Sequence, residues 1–450
     1  MNQGQGESFN KGKESKMTTN EYQLSDLDKT MPDHMFTLFL IYPKPSDFNL
    51  ENTILSLKKS LANAEDEIPL IASQLKFNNT TPSLIPSKSI DLQVRNLLDE
   101  HKSYSDLAAH SFPPTDLDRE ILLPAGDSSP ACRLQLNIIQ GGLILAFGAN
   151  HMVFDLSSAH AVLSLLCRGS KIYSSNCSGE MPTYQADIRR DAFKASSQST
   201  SLSKQDLIQR LPAHRIINSP PLTSTPTTRG VLYEIREPAI QTLKDRCKPL
   251  GVKYLSTYDC ITAWLWTSIT RVRSSERQKI DSQSSFFHPV NLRNRFPAAV
   301  PSNYIGNAVG VARAGPLDIS CLLGENGLSI AASQIRESIQ NVNMDIFSNL
   351  AALYQALAPT EQLVFDMDTQ TGMDLMMTSW YGIDNADYDF GWGTPQAVRT
   401  YNIAISGRNV IFPNCDSSSR RYELFVVLPV AEQDGLQQDK DFLTFFSICK

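Results

Sequence analysis

Two apolar segments flank the stretch Asn150-His151-Met152-Val153-Phe154-Asp155. The segment at 143–147 reads as a buried strand, and the segment at 156–167 has the apolar spacing of a helix. His151 is therefore expected where a strand ends and a loop begins, fixed by the core below it and facing a cavity. An imidazole, with an ordinary pKa of about 6.5, is the natural proton acceptor at neutral pH.

The spacing of His151 and Asp155 is weak evidence of a catalytic site, because it arises often by chance. On the spacing alone, the more frequent arrangement is structural. His151 would then be a buried histidine with a satisfied hydrogen bond, and Asp155 would cap the helix that follows it. Support for chemistry must come from other segments of the chain.

Composition sets the broad class of the protein. With 450 residues the chain is long enough for two or three domains. The net charge of −6 argues against a protein whose main task is to grip nucleic acid. The eight cysteines form no CxxC pair and no metal-like cluster, which fits a reducing compartment. Residues 1–16 lack the apolar core of a secretory signal, and no run is apolar for the ~18 residues that a membrane span needs, so we expect a cytosolic protein.

A change in composition near the middle of the chain divides it. Residues 195–229 are rich in serine, threonine and proline, as linkers are. We therefore predict a disordered tail over 1–20, an N-terminal domain over 21–210, a linker over 211–229 and a C-terminal domain over 230–450.

The apolar pattern predicts alternating strands and helices, and hence an α/β protein. The helix at 256–273 is the clearest, because Ser256 and Asp259 can form a capping box at its start. The predicted strands are 35–42, 131–139, 141–149, 231–235 and 286–292, and the other helices are 50–64, 156–167, 238–248 and 329–342. A meander is expected over 401–405, 410–412 and 422–428, with its first turn at 406–409.

Three further segments could take part in a site. Asp389-Phe390-Gly391-Trp392-Gly393 predicts a rigid loop with close backbone approach, more a scaffold than a catalyst. Arg293 follows a predicted strand and could meet a buried aspartate with both ends of its guanidinium, or could simply be solvated. Thr378 could donate to an oxyanion and Trp380 could wall a pocket, or the two could be a strand end with a core tryptophan.

Together these segments resemble the BAHD acyltransferase superfamily, the CoA-dependent O- and N-acyltransferases of plant and fungal specialised metabolism. The HxxxD motif of the family stands here at 151–155 and its DFGWG motif is intact at 389–393. The segments around Arg293 and at 304–307 also match. The opening LSDLDKTMP and the length look most like the fungal trichothecene 3-O-acetyltransferase type. The chain departs from the common pattern at Leu156, Asn291 and Ile305, none of which removes a group that does chemistry.

The resemblance implies two chloramphenicol-acetyltransferase-like α/β domains with a solvent channel between them. His151 would lie in the channel, reached by acyl-CoA from one side and by the acceptor from the other. It would take the proton from an acceptor hydroxyl, while Asp155 would pair with Arg293 and hold the shape. A segment near 370–390 would cross back to the first domain. The implied enzyme transfers an acyl group directly, without a metal or a tightly bound cofactor.

Several alternatives stay open at this stage. Acetyl-CoA is the expected donor and a small-molecule alcohol the expected acceptor, but the same fold also hosts N-acylation and other acyl groups. A non-catalytic small-molecule binder is a more distant alternative. For the ribose phosphate of CoA the sequence offers Arg293, Arg399 and Arg420 without a choice among them. We expect a monomer that binds neither nucleic acid nor a membrane.

Overall fold

The computed structural model describes residues 21–78, 81–87, 89–126, 129–174, 181, 183–218, 226–279, 281–416 and 419–449. The tail predicted over 1–20, and residues 219–225 of the predicted linker, lie outside this set. No helix of the described residues is long and apolar enough to cross a membrane.

Strands and helices alternate along the chain, as the apolar pattern predicts. The strands are β1 Met35–Pro43, β2 Ser73–Asn78, β3 Thr81–Pro86, β4 Leu92–Asn96, β5 Cys132–Ile139, β6 Gly142–Asn150, β7 His214–Ile217, β8 Thr228–Arg236, β9 Gln283–Asn291, β10 Val309–Asp318, β11 Gln362–Phe365, β12 Leu375–Ser379, β13 Ala397–Arg399, β14 Arg408–Phe412, β15 Arg421–Pro429 and β16 Ser447–Ile448. The helices are α1 Asp26–Lys29, α2 Leu50–Glu67, α3 Tyr104–Ala108, α4 Arg119–Leu122, α5 Leu156–Ser174, α6 Ser197–Thr200, α7 Lys204–Gln209, α8 Ala239–Arg246, α9 Thr257–Arg277, α10 Ile319–Leu323, α11 Gly327–Gln340, α12 Met344–Gln355 and α13 Val430–Gln438.

A five-stranded sheet has the strand order β13-β1-β6-β5-β4. His151 directly follows the end of its central strand, β6. β5 and β6 form the predicted hairpin, and β6 also pairs antiparallel with β1, so that Met35 lies opposite Asn150. The residues before β1 therefore lie beside the residues after β6. β6 is buried at every position, because α5 packs on one of its faces and apolar side chains of α3 and α4 pack on the other.

A seven-stranded sheet, in the order β10-β9-β12-β14-β15-β8-β16, forms the framework of the second half. Along β15, alternate side chains point to opposite faces. Leu424 and Val426 pack with α9, whereas Phe425 and Val427 join the core of the first half. The Ser256 capping box of α9 is present as predicted.

One hydrophobic cluster joins the two halves. Phe147 of the first sheet and Phe412 and Phe425 of the second are fully buried in it. Burying a phenylalanine side chain stabilises the fold by about 1.5–3 kcal/mol relative to leaving it exposed. Separating the halves would expose these side chains to water, and this stabilisation would be lost. The two sheets therefore support each other across their shared face.

The predicted meander is wrong at its first strand. Residues 401–405 form no strand, and the strand that precedes β14 is β13, at Ala397–Arg399. β13 adds to the edge of the first sheet, with Arg399 opposite Phe39. The first part of the predicted window of 370–390 contains β12 of the second sheet. At the end of the window the Tyr388 carbonyl accepts from the Tyr42 hydroxyl of β1 at 2.8 Å, so the chain has reached the first half before β13 joins its sheet. β4 was missed because its side chains are mostly polar and half-buried.

Candidate active site

The backbone around His151 is fixed from three sides. The His151 N–H donates to the carbonyl of His34 at 2.8 Å, and the Asn150 N–H donates to that of Ala131 at 2.9 Å. The Asn150 side chain donates to Asp33 at 2.7 Å and accepts from the Met152 N–H at 2.9 Å. The strand end is therefore a rigid support, as the sequence predicted.

The His151 ring is half-buried between two other rings. The centroid of the His34 ring lies 5.4 Å away and that of Phe36 lies 5.2 Å away. Burial lowers the pKa of His151 below its ordinary value of 6.5, so the ring is neutral at neutral pH. Its Nδ1 is buried without a hydrogen bond to any described residue that meets normal geometry. Nε2 is therefore the nitrogen available to a substrate.

Asp155 faces the protein rather than a cavity. Its Oδ1 caps α5 by accepting from the Ser158 N–H at 2.8 Å, and its Oδ2 accepts from the Ala308 N–H at 2.9 Å. Arg293 donates to both oxygens, at 2.7 and 3.1 Å. The predicted pair of Asp155 and Arg293 is thus present, and both carboxylate oxygens are occupied.

Arg293 is buried and ties the start of α5 to the segment 304–306. Besides Asp155, its guanidinium donates to the carbonyls of Tyr304 and Gly306 and to the Ser158 hydroxyl. The alternative of a solvated arginine is therefore wrong. Such a charge is stable in the interior only because every donor has an acceptor.

Asn307 contributes to the site although sequence reasoning gave it no role. Its side-chain nitrogen donates to the His151 carbonyl at 2.9 Å and to Asp28 at 3.1 Å. Its side chain also raises the pKa of His151, which partly offsets the effect of burial. Asp28 is fully buried, caps its own helix through Ser25 and forms an ion pair with Arg190 at 3.2 Å. The only sequence signal for Asn307 was its place at the end of the segment 304–307.

The Asp389–Gly393 loop folds around its own aspartate. Asp389 Oδ1 accepts from the N–H groups of Gly391 and Gly393, both at 2.9 Å. The two glycines have φ of +93° and +81°, a region that other residues rarely adopt. Trp392 packs edge-on against Tyr42 at 5.3 Å, and Lys171 of α5 forms an ion pair with Asp389. The loop docks on the first half and has no contact with His151 among the described residues, and its role as a scaffold stays a prediction.

Thr378 and Trp380 are not joined to His151 by any contact among the described residues. Thr378 lies in β12 opposite Val410. Trp380 is buried and packs on Phe412 at a ring distance of 5.8 Å. Their roles at an oxyanion or in an acceptor pocket stay predictions.

Two of the three cations considered for the CoA phosphate are excluded by their burial. Arg293 is paired with Asp155, and Arg399 is buried against Glu423 at 2.9 Å. Neither can reach a ligand without leaving a buried carboxylate unpaired. Arg420 is half-exposed and lies 3.4 Å from Glu237.

No group of three or more metal-ligating side chains occurs among the described residues, and seven described cysteines are free thiols. A cavity of about 570 Å³ opens beside the N-terminal segment, lined by Ser25, Lys29 and Arg190 among others. His151 does not line it. The channel implied by the resemblance therefore stays a prediction.

Comparison with known proteins gives consistent matches over most of the chain. The model of the Transferase family matches residues 120–443, and that of the trichothecene 3-O-acetyltransferase-like N-terminal domain matches residues 35–169. Acyltransferase easC of Emericella nidulans is 23% identical, with 94% of each chain covered. The trichothecene 3-O-acetyltransferase of Saccharomyces cerevisiae is 26% identical, with 84% of this chain and 79% of the relative covered.

Solved structures agree in fold. F. graminearum TRI101, complexed with coenzyme A and deoxynivalenol, superposes with a TM-score of 0.82 at 22% identity, covering 96% of this chain and 100% of that one. Vinorine synthase superposes with a TM-score of 0.72 at 17% identity, covering 97% and 96%. The mixed α/β architecture is thus shared with both.

Proposed function

The chain belongs to the Transferase family, the acyltransferases of BAHD type, and on that premise we propose that it is an acyl-CoA-dependent O-acyltransferase with His151 as its general base. One observation carries the proposal. The His151 imidazole is neutral at neutral pH, its backbone is held on both sides, and only Nε2 is left for a substrate. A base needs this combination of free lone pair and fixed position.

The reaction needs one proton acceptor and no covalent intermediate on the protein. An acceptor hydroxyl gives its proton to His151 Nε2 while its oxygen forms a bond to the thioester carbonyl carbon. The carbonyl electrons move to oxygen, and the resulting tetrahedral oxyanion collapses by breaking the carbon–sulfur bond. The leaving CoA thiolate then takes this proton from His151, which restores the neutral ring.

Asp155 acts on this reaction through structure. Its oxygens are occupied by Arg293 and by two backbone N–H groups, so it cannot receive the substrate proton. It fixes the start of α5, directly after the loop that carries His151. Asp155 is thus a positioning residue.

The acyl group we propose is acetyl, and the acceptor a hydroxyl of a fungal secondary metabolite. Support comes from what the relatives are called, since they include trichothecene 3-O-acetyltransferases and an O-acetyltransferase, cpsE, of Aspergillus campestris. TRI101 was crystallised with coenzyme A, and acyl-CoA is the co-substrate we propose here. A monomeric state and a cytosolic location stay predictions.

Replacing His151 tests the base. We expect His151→Ala to lower acyl transfer from acetyl-CoA to a panel of alcohols by about 10²–10⁴-fold, the usual worth of a general base. Release of free CoA thiol and the mass of the acetylated product are the measurements. His110→Ala, at an exposed helix end, is the matched control and should keep full activity. If His151→Ala stays folded by circular dichroism and retains more than a few per cent of activity, the base is another group.

A further inference from the structure

Two arginines lie near His34, the histidine beside His151, and neither pairs with a carboxylate of the described residues. His34 precedes β1, Arg119 begins α4 and Arg408 begins β14, and we call these three residues the cationic cluster. The His34 ring lies 5.4 Å from that of His151. Arg119 and Arg408 are both near enough to His34 to disfavour its protonated form. The cluster thus brings residues of both halves of the chain together around His34.

The two arginines of the cluster have no anionic partner in the described part of the chain. Neither side chain makes a hydrogen bond or an ion pair with a described residue, and Arg119 Nε is a buried donor with no acceptor. The Arg119 guanidinium lies over the ring of Tyr401 at 5.1 Å. Interior arginines elsewhere are paired, with Arg273 bound to Glu432 and Arg399 to Glu423. Arg119 is half-buried and Arg408 is exposed, so both guanidinium groups remain available to an anionic ligand.

His34 and Arg408 are accessible to a ligand from solvent. Both side chains are exposed to water, yet the surrounding protein lowers the pKa of each, that of His34 to about 4. At neutral pH His34 is uncharged, so Arg119 and Arg408 carry the charge of the cluster. Asp33, next to His34 in sequence, accepts from the Asn150 side chain.

We propose that the cationic cluster binds a carboxylate of the acyl acceptor and so presents the acceptor hydroxyl to His151. Guanidinium groups fit a carboxylate with paired hydrogen bonds, and a neutral imidazole can add one more. The phosphates of CoA carry the same charge, but the whole pantetheine arm separates them from the thioester. When the thioester carbonyl is at His151, the CoA phosphates therefore lie far from His34, whose ring lies against that of His151. This inference rests on the proposed acyl transfer for the position of the acceptor, and it narrows the acceptor to hydroxy acids.

Binding of small probes tests the cluster without requiring turnover. The probes are benzoate and its neutral isostere benzamide, and coenzyme A and its phosphate-free analogue pantetheine, titrated at matched ionic strength by calorimetry. We expect benzoate to bind more tightly than benzamide to the wild type and to His151→Ala. We expect Arg408→Gln and Arg119→Gln each to weaken benzoate by roughly tenfold or more, since a charged hydrogen bond is worth about 1.5–3 kcal/mol. Benzamide, coenzyme A and pantetheine should bind these two variants unchanged.

The matched control is Arg210→Gln, which removes the same charge from an exposed helix end. It should bind benzoate as the wild type does. Equal binding of benzoate and benzamide, or unchanged binding of benzoate to Arg408→Gln, would overturn the proposal. So would a selective loss of coenzyme A but not pantetheine, which would assign the cluster to the CoA phosphates. This test measures binding. A result against acyl transfer in the His151→Ala experiment therefore neither supports nor overturns the proposal for the cationic cluster.

Discussion

His151 and Asp155 are four positions apart and are held in opposite ways. Both carboxylate oxygens of Asp155 accept hydrogen bonds from protein groups, so its charge is neutralised by Arg293 and caps the start of α5. His151 keeps one ring nitrogen free, and its fixed contacts are made through the backbone N–H and carbonyl. A rigid main chain with a free side-chain atom is what a proton-transfer site requires.

Replacing Asn307 should change the pKa and the position of His151 while the imidazole itself stays in place. Its side chain raises the pKa of His151 and holds the His151 carbonyl. In Asn307→Ala we therefore expect the acid limb of the kcat/KM profile to move to lower pH than in the wild type. The wild-type limb itself should lie below the ordinary histidine value of 6.5, because burial lowers the pKa. We expect kcat to fall by up to about 100-fold, since small misplacements of a catalytic group have effects of this size.

The pH profile separates positioning from general damage to the fold. Asn303→Ala is the control, because the Asn303 side chain is half-buried and bonds only to the Gln185 carbonyl among described partners. It should leave kcat and the acid limb unchanged. An Asn307→Ala enzyme with a lower kcat but an unshifted limb would show that Asn307 does not act on the ring of His151.

Helix α5 connects the two motifs that identify the family. Its first turn is capped by Asp155, and further along it meets the Asp389–Gly393 region. His160 lies 2.8 Å from the Tyr388 hydroxyl, and Lys171 pairs with Asp389. The helix is therefore fixed along its length by residues of the second half, which explains how a loop that does not touch His151 can still support it.

The Asp155–Arg293 pair should couple strongly in stability. Asp155→Ala leaves a buried guanidinium without its counter-charge, so we expect the free energy of unfolding to fall by about 3–5 kcal/mol. Arg293→Met should have a similar effect, and the double variant should lose much less than the sum of the two. Urea unfolding of the four proteins gives the coupling energy.

An exposed ion pair supplies the comparison. Glu361 binds the half-exposed Lys204 at 2.7 Å, and Glu361→Ala should change stability far less than Asp155→Ala does, because ion pairs in contact with water contribute little. Additive losses in the Asp155 and Arg293 cycle, within about 0.5 kcal/mol, would mean that the pair does not stabilise the fold as a unit.

Local pattern predicted the elements that carry His151, and it failed where partners are distant in sequence. The hairpin of β5 and β6 and the capped start of α9 depend on neighbours within a few residues. β13 has only three residues, and its pairing with β1 spans most of the chain, so nothing in its own sequence distinguishes it from a loop. The Asp155–Arg293 pair came from the resemblance, and the cationic cluster was missed because its members are far apart in the chain.

At the scale of the whole molecule, several histidines are buried in the neutral form. His288 bonds Ser338 at 2.8 Å beneath α11, and His214 begins β7 beside Phe365. Burial lowers the pKa of His288 to about 3 and that of His214 to about 4, from an ordinary value of 6.5. Neither belongs to the proposed site, so their titration reports on the fold alone.

These two histidines should make the protein less stable in mild acid than at neutral pH. As the pH falls below 6.5 the unfolded chain takes up their protons, while the folded chain does not until about pH 4 for His214 and about pH 3 for His288. The free energy of unfolding should therefore fall with decreasing pH in this window, by up to about 1.4 kcal/mol per pH unit for each histidine. Urea unfolding at about pH 7 and about pH 5 measures it. His288→Gln should reduce the difference between the two pH values, whereas the exposed His110→Gln should leave it unchanged, and equal slopes in all three proteins would contradict the assignment.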